Sequence, residues 1–458
     1  MSAPSMKPVR SLRSAPTRAQ GRARTRNLIG LGVLAVAVIV GATVAVTIAK
    51  QSQIHMPAKP VGADQAALIQ RGAYVARAAD CVACHTIDKD KPYAGGVAFD
   101  TPFGKLYSTN ITQDKTDGIG SFTDEEIVGA IRNGISKDGR RLYPAMPYTS
   151  YTGMSDADVT ALVAYLRTLA PIQQAPPANT MGFPFNQRWA MAFWNVLNFH
   201  AGRQEADPAK GEAWNRGAYL VQTMEHCQEC HTPRNFIQGL SGPTLSGGDL
   251  GLWDAYNITS STNSGLGGWS DADIARYLKT GEVHGKVNAN AGGPMAEVIE
   301  NSTSKLDDAD INAMVTYLRT VPAVENKGNA QPRFASGQAY AGIDHVRALG
   351  RSYDASSDTL DGQLLFNANC ATCHTVTGKG VGEYPRLIGN TVLGDNDTRN
   401  VTAVILHGLH RKVGDHEVFM PGFTDLSDAQ VATLGNFLFQ QFGNPQTTLT
   451  AEDVRKAR

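Results

Sequence analysis

The chain has 458 residues, and its 42 Lys and Arg balance 42 Asp and Glu, for a formal charge of zero. That balance removes any global electrostatic argument for a nucleic-acid partner, and the length suffices for three domains of ordinary size. No glycine-rich dinucleotide fingerprint precedes a strand–helix unit, so the chain supplies no substrate chemistry of that kind.

Residues 1–27 carry Lys7, Arg10, Arg13, Arg18, Arg22, Arg24 and Arg26 and no acidic residue. A charge-free run follows from Leu28 to Ala49, "LIGLGVLAVAVIVGATVAVTIA". As a helix it would be roughly 33 Å long, enough for the hydrocarbon core of a bilayer. It lacks the shorter apolar region and small-residue cleavage site of a signal peptide, and so reads as an uncleaved transmembrane anchor. The basic flank would then stay in the cytoplasm, placing everything after Lys50 on the periplasmic side of the inner membrane.

All six cysteines fall in one pattern: Cys81-Val-Ala-Cys84-His85, Cys227-Gln-Glu-Cys230-His231 and Cys370-Ala-Thr-Cys373-His374. C-x-x-C-H is the attachment signature of c-type haem. Two thiols add across the two vinyl groups of one haem, and the following histidine presents its imidazole to the iron. Zinc would need two such pairs converging on one metal, which leaves three pairs unmatched. A thioredoxin-like site has no need of the trailing histidine three times over. The expected cofactors are therefore three covalent haems c, and no cysteine remains for an iron–sulfur cluster.

Each iron then wants a sixth ligand, and a thioether raises the reduction potential where an open position would point to peroxidase or gas chemistry. Met146 in "YPAMPY", Met295 in "GGPMAE" and Met420 in "VFMPGF" each touch a proline and precede a helix-like run. Met154 and Met314 read instead as apolar filler, the ordinary role of the residue. His284, His407, His410 and His416 offer a rival bis-histidine ligation. An isolated histidine is more often solvated or hydrogen-bonded, however. His226, directly before Cys227, is badly placed to reach its own haem.

The motif recurs at domain-sized intervals. "RGAYVARAADCVACHT" parallels "RGAYLVQTMEHCQECHT", and Asn-Ile-Thr recurs at Asn110–Thr112 and Asn257–Thr259. "SDADVTALVAYLRTL", "DDADINAMVTYLRTV" and "SDAQVATLGNFLFQQF" are three copies of an amphipathic helix, with Ser155 and Asp158 as an N-terminal capping pair. Tyr165, Tyr317 and Phe437 fall at equivalent places, where first and last helices are expected to cross. Gly72, Gly217 and Gly362 stand where such a crossing needs a missing side chain. The pattern predicts an all-α chain: a transmembrane helix over 28–49, then three class I cytochrome c-like domains. Their bounds are 64–171, 210–322 and 358–443, separated by segments 172–209 and 323–357 and followed by a polar tail, 444–458. The aromatic stretch at 171–202 is expected to pack between domains or meet a partner.

These residues carry a resemblance. The three C-x-x-C-H domains with "STNIT", "LYPAMPYTSY", "FPFNQRW", "WNRGAYL" and "CHTPRN" resemble the membrane-bound tri-haem cytochrome c subunits of bacterial periplasmic dehydrogenases, over about residues 64 to 443. "EYPRLIGN" and "VFMPGFTDLSDAQVATLGNFL" resemble the cytochromes paired with molybdopterin aldehyde-oxidising enzymes. Those of quinoprotein alcohol dehydrogenases and flavin gluconate or polyol dehydrogenases come next. The N-terminal anchor departs from many relatives, which have a cleaved signal and attach by an amphipathic segment or through partners. The resemblance implies an electron-transfer subunit, not an enzyme by itself, which passes electrons from a catalytic dehydrogenase subunit to ubiquinone. A small iron–sulfur subunit would be a further partner. It implies haem attachment at Cys81, Cys84, Cys227, Cys230, Cys370 and Cys373, with His85, His231 and His374 proximal and Met146, Met295 and Met420 distal. Pro385 would accept the imidazole N–H of His374 through its backbone. Asn110, Asn257 and Arg234 are candidates for propionate contacts or for ordinary loop hydrogen bonding. A multihaem peroxidase-like enzyme with an open site, and a shuttle to a terminal oxidase, are the competing functions.

Overall fold

The computed structural model describes residues 38–54, 57, 64–341 and 360–458. The basic segment 1–27, residues 28–37 of the expected anchor, residues 342–357 of the second connecting segment and residues 358 and 359 lie outside that range. Residues 38–51 are helical, and the end of this helix is pinned to the rest of the chain. Gln51 is buried and donates through Nε2 to the carbonyls of Asn195 and Phe199, at 3.0 and 2.8 Å. Its own carbonyl accepts from Asn133 Nδ2 at 3.0 Å.

Two expectations need correction here. Among the described residues no helix is long and apolar enough to cross a membrane, so the transmembrane helix is not supported. The inner-membrane, single-pass location argued from it falls with it. The reading treated Leu28–Ala49 as one apolar unit, whereas the described helix runs past it to residue 51 and ends on polar tertiary contacts. Nor is the chain all-α. Short antiparallel ribbons join Ala98–Thr101 to Gly104–Tyr107, Gly248–Leu250 to Trp253–Ala255, Glu282–Val283 to Ala289–Asn290, and Leu409–Val413 to His416–Met420. Strands this short carry too little alternation to show as period-two patterns.

The architecture rests on three crossed helix pairs. Gln65–Ala78 crosses Asp156–Leu166, Glu212–Tyr219 crosses Asp308–Leu318, and Gly362–Asn369 crosses Asp428–Phe442. The crossings need glycine as the sequence predicts. A Cβ on Gly72 would stand 1.9 Å from the Ala161 carbonyl oxygen and 2.7 Å from Tyr165 Cβ. On Gly217 it would meet the Ala313 carbonyl oxygen at 1.9 Å and Tyr317 Cβ at 2.9 Å, and on Gly362 it would meet Phe437 Cβ at 2.6 Å. The last helices of the first and third pairs begin at side-chain caps: Ser155 accepts from the Asp158 amide, and Ser427 forms a reciprocal capping box with Gln430.

Core packing groups these units unequally. One continuous apolar cluster serves the first two pairs, uniting Val75, Leu162 and Met154 with Leu220, Ile311 and Met314. The third pair has its own, around Phe366, Leu434, Phe439 and Phe442. Polar contacts fasten the third unit to the second. Arg399 meets Asp249 at 2.6 Å and Asp254 at 2.7 Å, and buried Arg411 reaches Glu282 and the Ala291 carbonyl, both at 2.8 Å. Residues 444–458 fold back instead of trailing away: Ala451–Lys456 is a helix, and Leu449 and Val454 are buried in the third core.

Candidate functional site

Each Cys-x-x-Cys-His motif holds one short helical turn, at Cys81–His85, Gln228–His231 and Ala371–His374. The chain enters the first two through a left-handed residue directly before the first cysteine, Asp80 at φ 45° and His226 at φ 38°. That conformation is uncommon outside glycine, and it turns the backbone sharply out of the preceding helix. The second unit has one residue more than the first between its Arg-Gly-Ala-Tyr and its motif. A π turn at Leu220–Met224 absorbs the extra residue without ending the helical run.

The three imidazoles are oriented by backbone carbonyls. Nδ1 of His85 lies 2.6 Å from the Thr109 oxygen, that of His231 lies 2.5 Å from the Tyr256 oxygen, and that of His374 lies 2.8 Å from the Pro385 oxygen. A carbonyl can only accept, so Nδ1 carries the hydrogen and Nε2 keeps its lone pair in each ring. Burial holds all three below the usual histidine range, with the carbonyl bond pulling the other way. Pro385 stands where the sequence reading puts it. Thr109 and Tyr256 escape that reading, although their place directly before the repeated Asn-Ile-Thr was the signal for them.

The asparagines of that repeat do something else. Asn110 accepts from the Thr112 amide and hydroxyl and donates to the carbonyls of Ile172 and Gln174, at 2.7 and 3.2 Å. Asn257 repeats this with Thr259 and donates to the Val324 carbonyl at 2.7 Å. Both staple the chain that leaves their unit. Arg234 is engaged with Glu229 and the Gln238 carbonyl. None of the three propionate candidates is therefore free of local bonding.

Two large apolar cavities gather the remaining candidates. The middle one is lined by Cys227, Cys230 and His231 and by Met295 across from them in the sequence repeat, with Tyr256, Trp269 and Met314 in its wall. The other is lined by Cys370, Cys373, His374 and Met420. Asn290, Val392 and Val404 face both. In the first unit Cys81 and Met146 are half-buried against the shared core. Burial pushes the thiols of Cys81, Cys84 and Cys370 up to about 12 and that of Cys230 up to about 11, so they are held protonated. Among the described residues no three His, Cys, Asp or Glu side chains are grouped to hold a metal ion between them.

The spare histidines find other partners. His284 and His416 lie 3.2 and 3.3 Å from Glu282, His410 lies 2.8 Å from Glu417, and His407 lies 3.1 Å from the Ala457 carbonyl. His416 also borders the third cavity. His226 is half-buried, its ring in a T-shaped contact with Tyr151, whose hydroxyl donates to the Ala79 carbonyl at 2.6 Å. A protonated thiol pair, an imidazole with Nε2 unengaged by its orienting bond, and a thioether on one apolar cavity fit a covalently held haem.

Comparison with known proteins agrees with that donor set. The cytochrome c family profile matches residues 69–170 and 360–441. The fructose dehydrogenase cytochrome subunit of Gluconobacter japonicus is 43% identical over 403 residues, covering 85% of this chain and 82% of its own. The cytochrome c subunit of alcohol dehydrogenase (quinone) from Gluconobacter oxydans (strain 621H) is 36% identical over 409 residues, 86% of this chain and 82% of its own. The gluconate 2-dehydrogenase cytochrome c subunit of Pantoea cypripedii is 36% identical over 426 residues, 86% of this chain and 91% of its own.

Proposed function

The chain belongs to the cytochrome c family, among relatives that are cytochrome subunits of dehydrogenase complexes, and from that premise we propose that it relays electrons from a catalytic dehydrogenase subunit to ubiquinone through three haems c. The observation that carries this reading is the coincidence, in each large cavity, of a cysteine pair, an oriented histidine and a methionine. The units are those bounded at 64–171, 210–322 and 358–443.

Cys81 and Cys84, Cys227 and Cys230, and Cys370 and Cys373 would each hold one haem, and His85 with Met146, His231 with Met295 and His374 with Met420 would supply its iron ligands. Bound there, haem supplies one-electron chemistry at its iron. The residues of the chain do the rest. The carbonyls of Thr109, Tyr256 and Pro385 fix each ring and its tautomer, and the apolar walls keep water from the site. Quinone as acceptor is supported by the similarity to the cytochrome c subunit of alcohol dehydrogenase (quinone). An aldehyde-oxidising molybdopterin enzyme with a small iron–sulfur subunit is the reading of the third unit's motifs. Fructose, alcohol and gluconate dehydrogenases are the partners that the relatives' names indicate.

The test uses the full chain extracted in mild detergent with whatever accompanies it. Three covalent haems per chain, a methionine–iron band from each, and substrate-dependent quinone reduction by the co-purified complex are expected. A high-spin haem in the purified protein, or quinone reduction undiminished in cells lacking the chain, would sink the relay.

A further inference from the structure

The middle cavity contains a buried cation that comes from outside its own helix pair. Arg333 lies on a short 3-10 turn, Arg333–Ala335, in the stretch that leaves the second unit for the third. Its side chain is 5% exposed, and it lines the cavity together with Cys227, Cys230, His231 and Met295. The guanidinium carbon sits 4.0 Å from the centroid of the Tyr256 ring. The carbonyl of that same tyrosine is the group that orients His231.

Its hold on the third unit is equally specific. Nη1 meets a carboxylate oxygen of Asp395 at 3.3 Å, and Asp395, itself buried, is not part of the cavity lining. The backbone is trapped as well: a Cβ on Gly394 would stand 1.7 Å from the Arg333 carbonyl oxygen, so the two segments pack backbone to backbone. Thr391, Val392, Asn400 and Val404 of the third unit complete the same wall.

A buried guanidinium is expensive to desolvate unless it is paired, and one long contact with a single carboxylate is a modest return. Stacking on an aromatic face engages the cation without using its donors. A haem brings two carboxylates of its own, which need a cation or several donors when taken out of water. Arg234, Asn110 and Asn257 are committed elsewhere, which leaves Arg333 as the arginine that lines the middle cavity.

We propose that Arg333 is the positioning cation of the middle haem site, held there by Asp395 of the third unit, and that its charge raises the reduction potential of the haem attached at Cys227 and Cys230. A fixed positive charge in a low-dielectric wall disfavours the ferric state, which carries one more positive charge than the ferrous. The third unit thereby sets the potential of a haem that the second unit holds. This rests on the haem reading of the middle cavity, and the experiment separates the two.

Full-length protein carrying Arg333→Gln, Arg333→Lys or Asp395→Asn is titrated spectroelectrochemically, and covalent haem is counted in each. A Cys227→Ala, Cys230→Ala double variant identifies the middle component by its disappearance. Should the haem count not fall by one in that control, the haem reading fails and this proposal with it. With three haems retained, R333Q is expected to shift the middle component about tenfold toward the oxidised form, about 59 mV for a one-electron couple. R333K should restore most of the shift, and D395N, which removes the negative charge that offsets Arg333, should give a smaller shift of the opposite sign. An unmoved middle component in R333Q, or an equal shift of all three components, overturns the proposal. If R333Q fails to fold, an unmoved component in folded D395N overturns it instead.

Discussion

Tyr74 donates its phenol hydrogen to Asp310 at 2.6 Å, joining residues 236 apart in the chain. Its counterpart in the second unit, Tyr219, donates to Asp158 of the first at 2.7 Å. Each phenol oxygen also accepts a backbone N–H from the opposite unit, from Asp307 and Ser155 respectively. Each aspartate is ion-paired to the arginine of its own Arg-Gly-Ala-Tyr, Arg71 at 2.7 Å and Arg216 at 2.6 Å. The same contact is thus made in both directions, as across the two-fold axis of a homodimer. That reciprocity explains why the first two units share one core while the third keeps its own.

Tyr74→Phe and Tyr219→Phe remove equivalent bonds to a charged acceptor and leave the rings in place. Each is expected to lower stability by about 1–2 kcal/mol, with closely similar values. Urea unfolding of the two single variants checks this. A large loss from one and none from the other would show that the symmetry does not extend to energetics.

The helix crossings give a graded series. Gly72→Ala and Gly217→Ala place a methyl 1.9 Å from a backbone carbonyl oxygen, which neither helix can move aside cheaply. Losses of about 2–3 kcal/mol are expected from this overpacking. At Gly362 the nearest atom is a side-chain carbon at 2.6 Å, and a smaller loss is expected there. Thermal midpoints of the three variants should fall in that order.

Much of this was open to reading from the chain itself, and the reasons are physical. Three Cys-x-x-Cys-His motifs mark the candidate site because that spacing suits two thioethers and one iron ligand on a single haem. Gly72 and Tyr165, or Gly362 and Phe437, reveal a helix crossing because only glycine lets two backbones approach so closely. Arg333 could not be read, because its role depends on a tertiary wall built from two units. Asn110 and Asn257 left two roles open, because a repeated polar residue looks alike whether it serves a cofactor or a loop. The ribbons were missed for want of length. The anchor was over-read from hydropathy and a basic flank, which are blind to the tertiary bonds that Gln51 makes.

Glu225 sits buried beside the entry to the second motif, with the Ser302 hydroxyl donating to it at 2.7 Å. Burial pushes its carboxyl up to about 8, with the hydroxyl pulling it down. A carboxyl raised in the folded state above its unfolded value of about 4.3 binds more protons when folded. Stability therefore falls as pH rises through that window. Glu225→Gln removes the titration, so the variant's thermal midpoint should gain on the parent's between about pH 5 and pH 8. A constant offset across that range would assign the titration elsewhere.

Met420 ends the His416–Met420 strand, and both residues border the third cavity. Met420→Ala is expected to abolish one methionine–iron band while leaving the haem attached, and to lower the potential of that component. His416→Ala should change neither. The reverse pattern in the visible spectrum would make His416 the ligand.

Asn290, Val392 and Val404 each face two cavities, so the middle and third sites are separated by single side chains. Oxidation of an organic substrate releases electrons in pairs, whereas each haem iron accepts one. With a haem in each, as proposed above, two sites back to back would hold a whole pair within one chain.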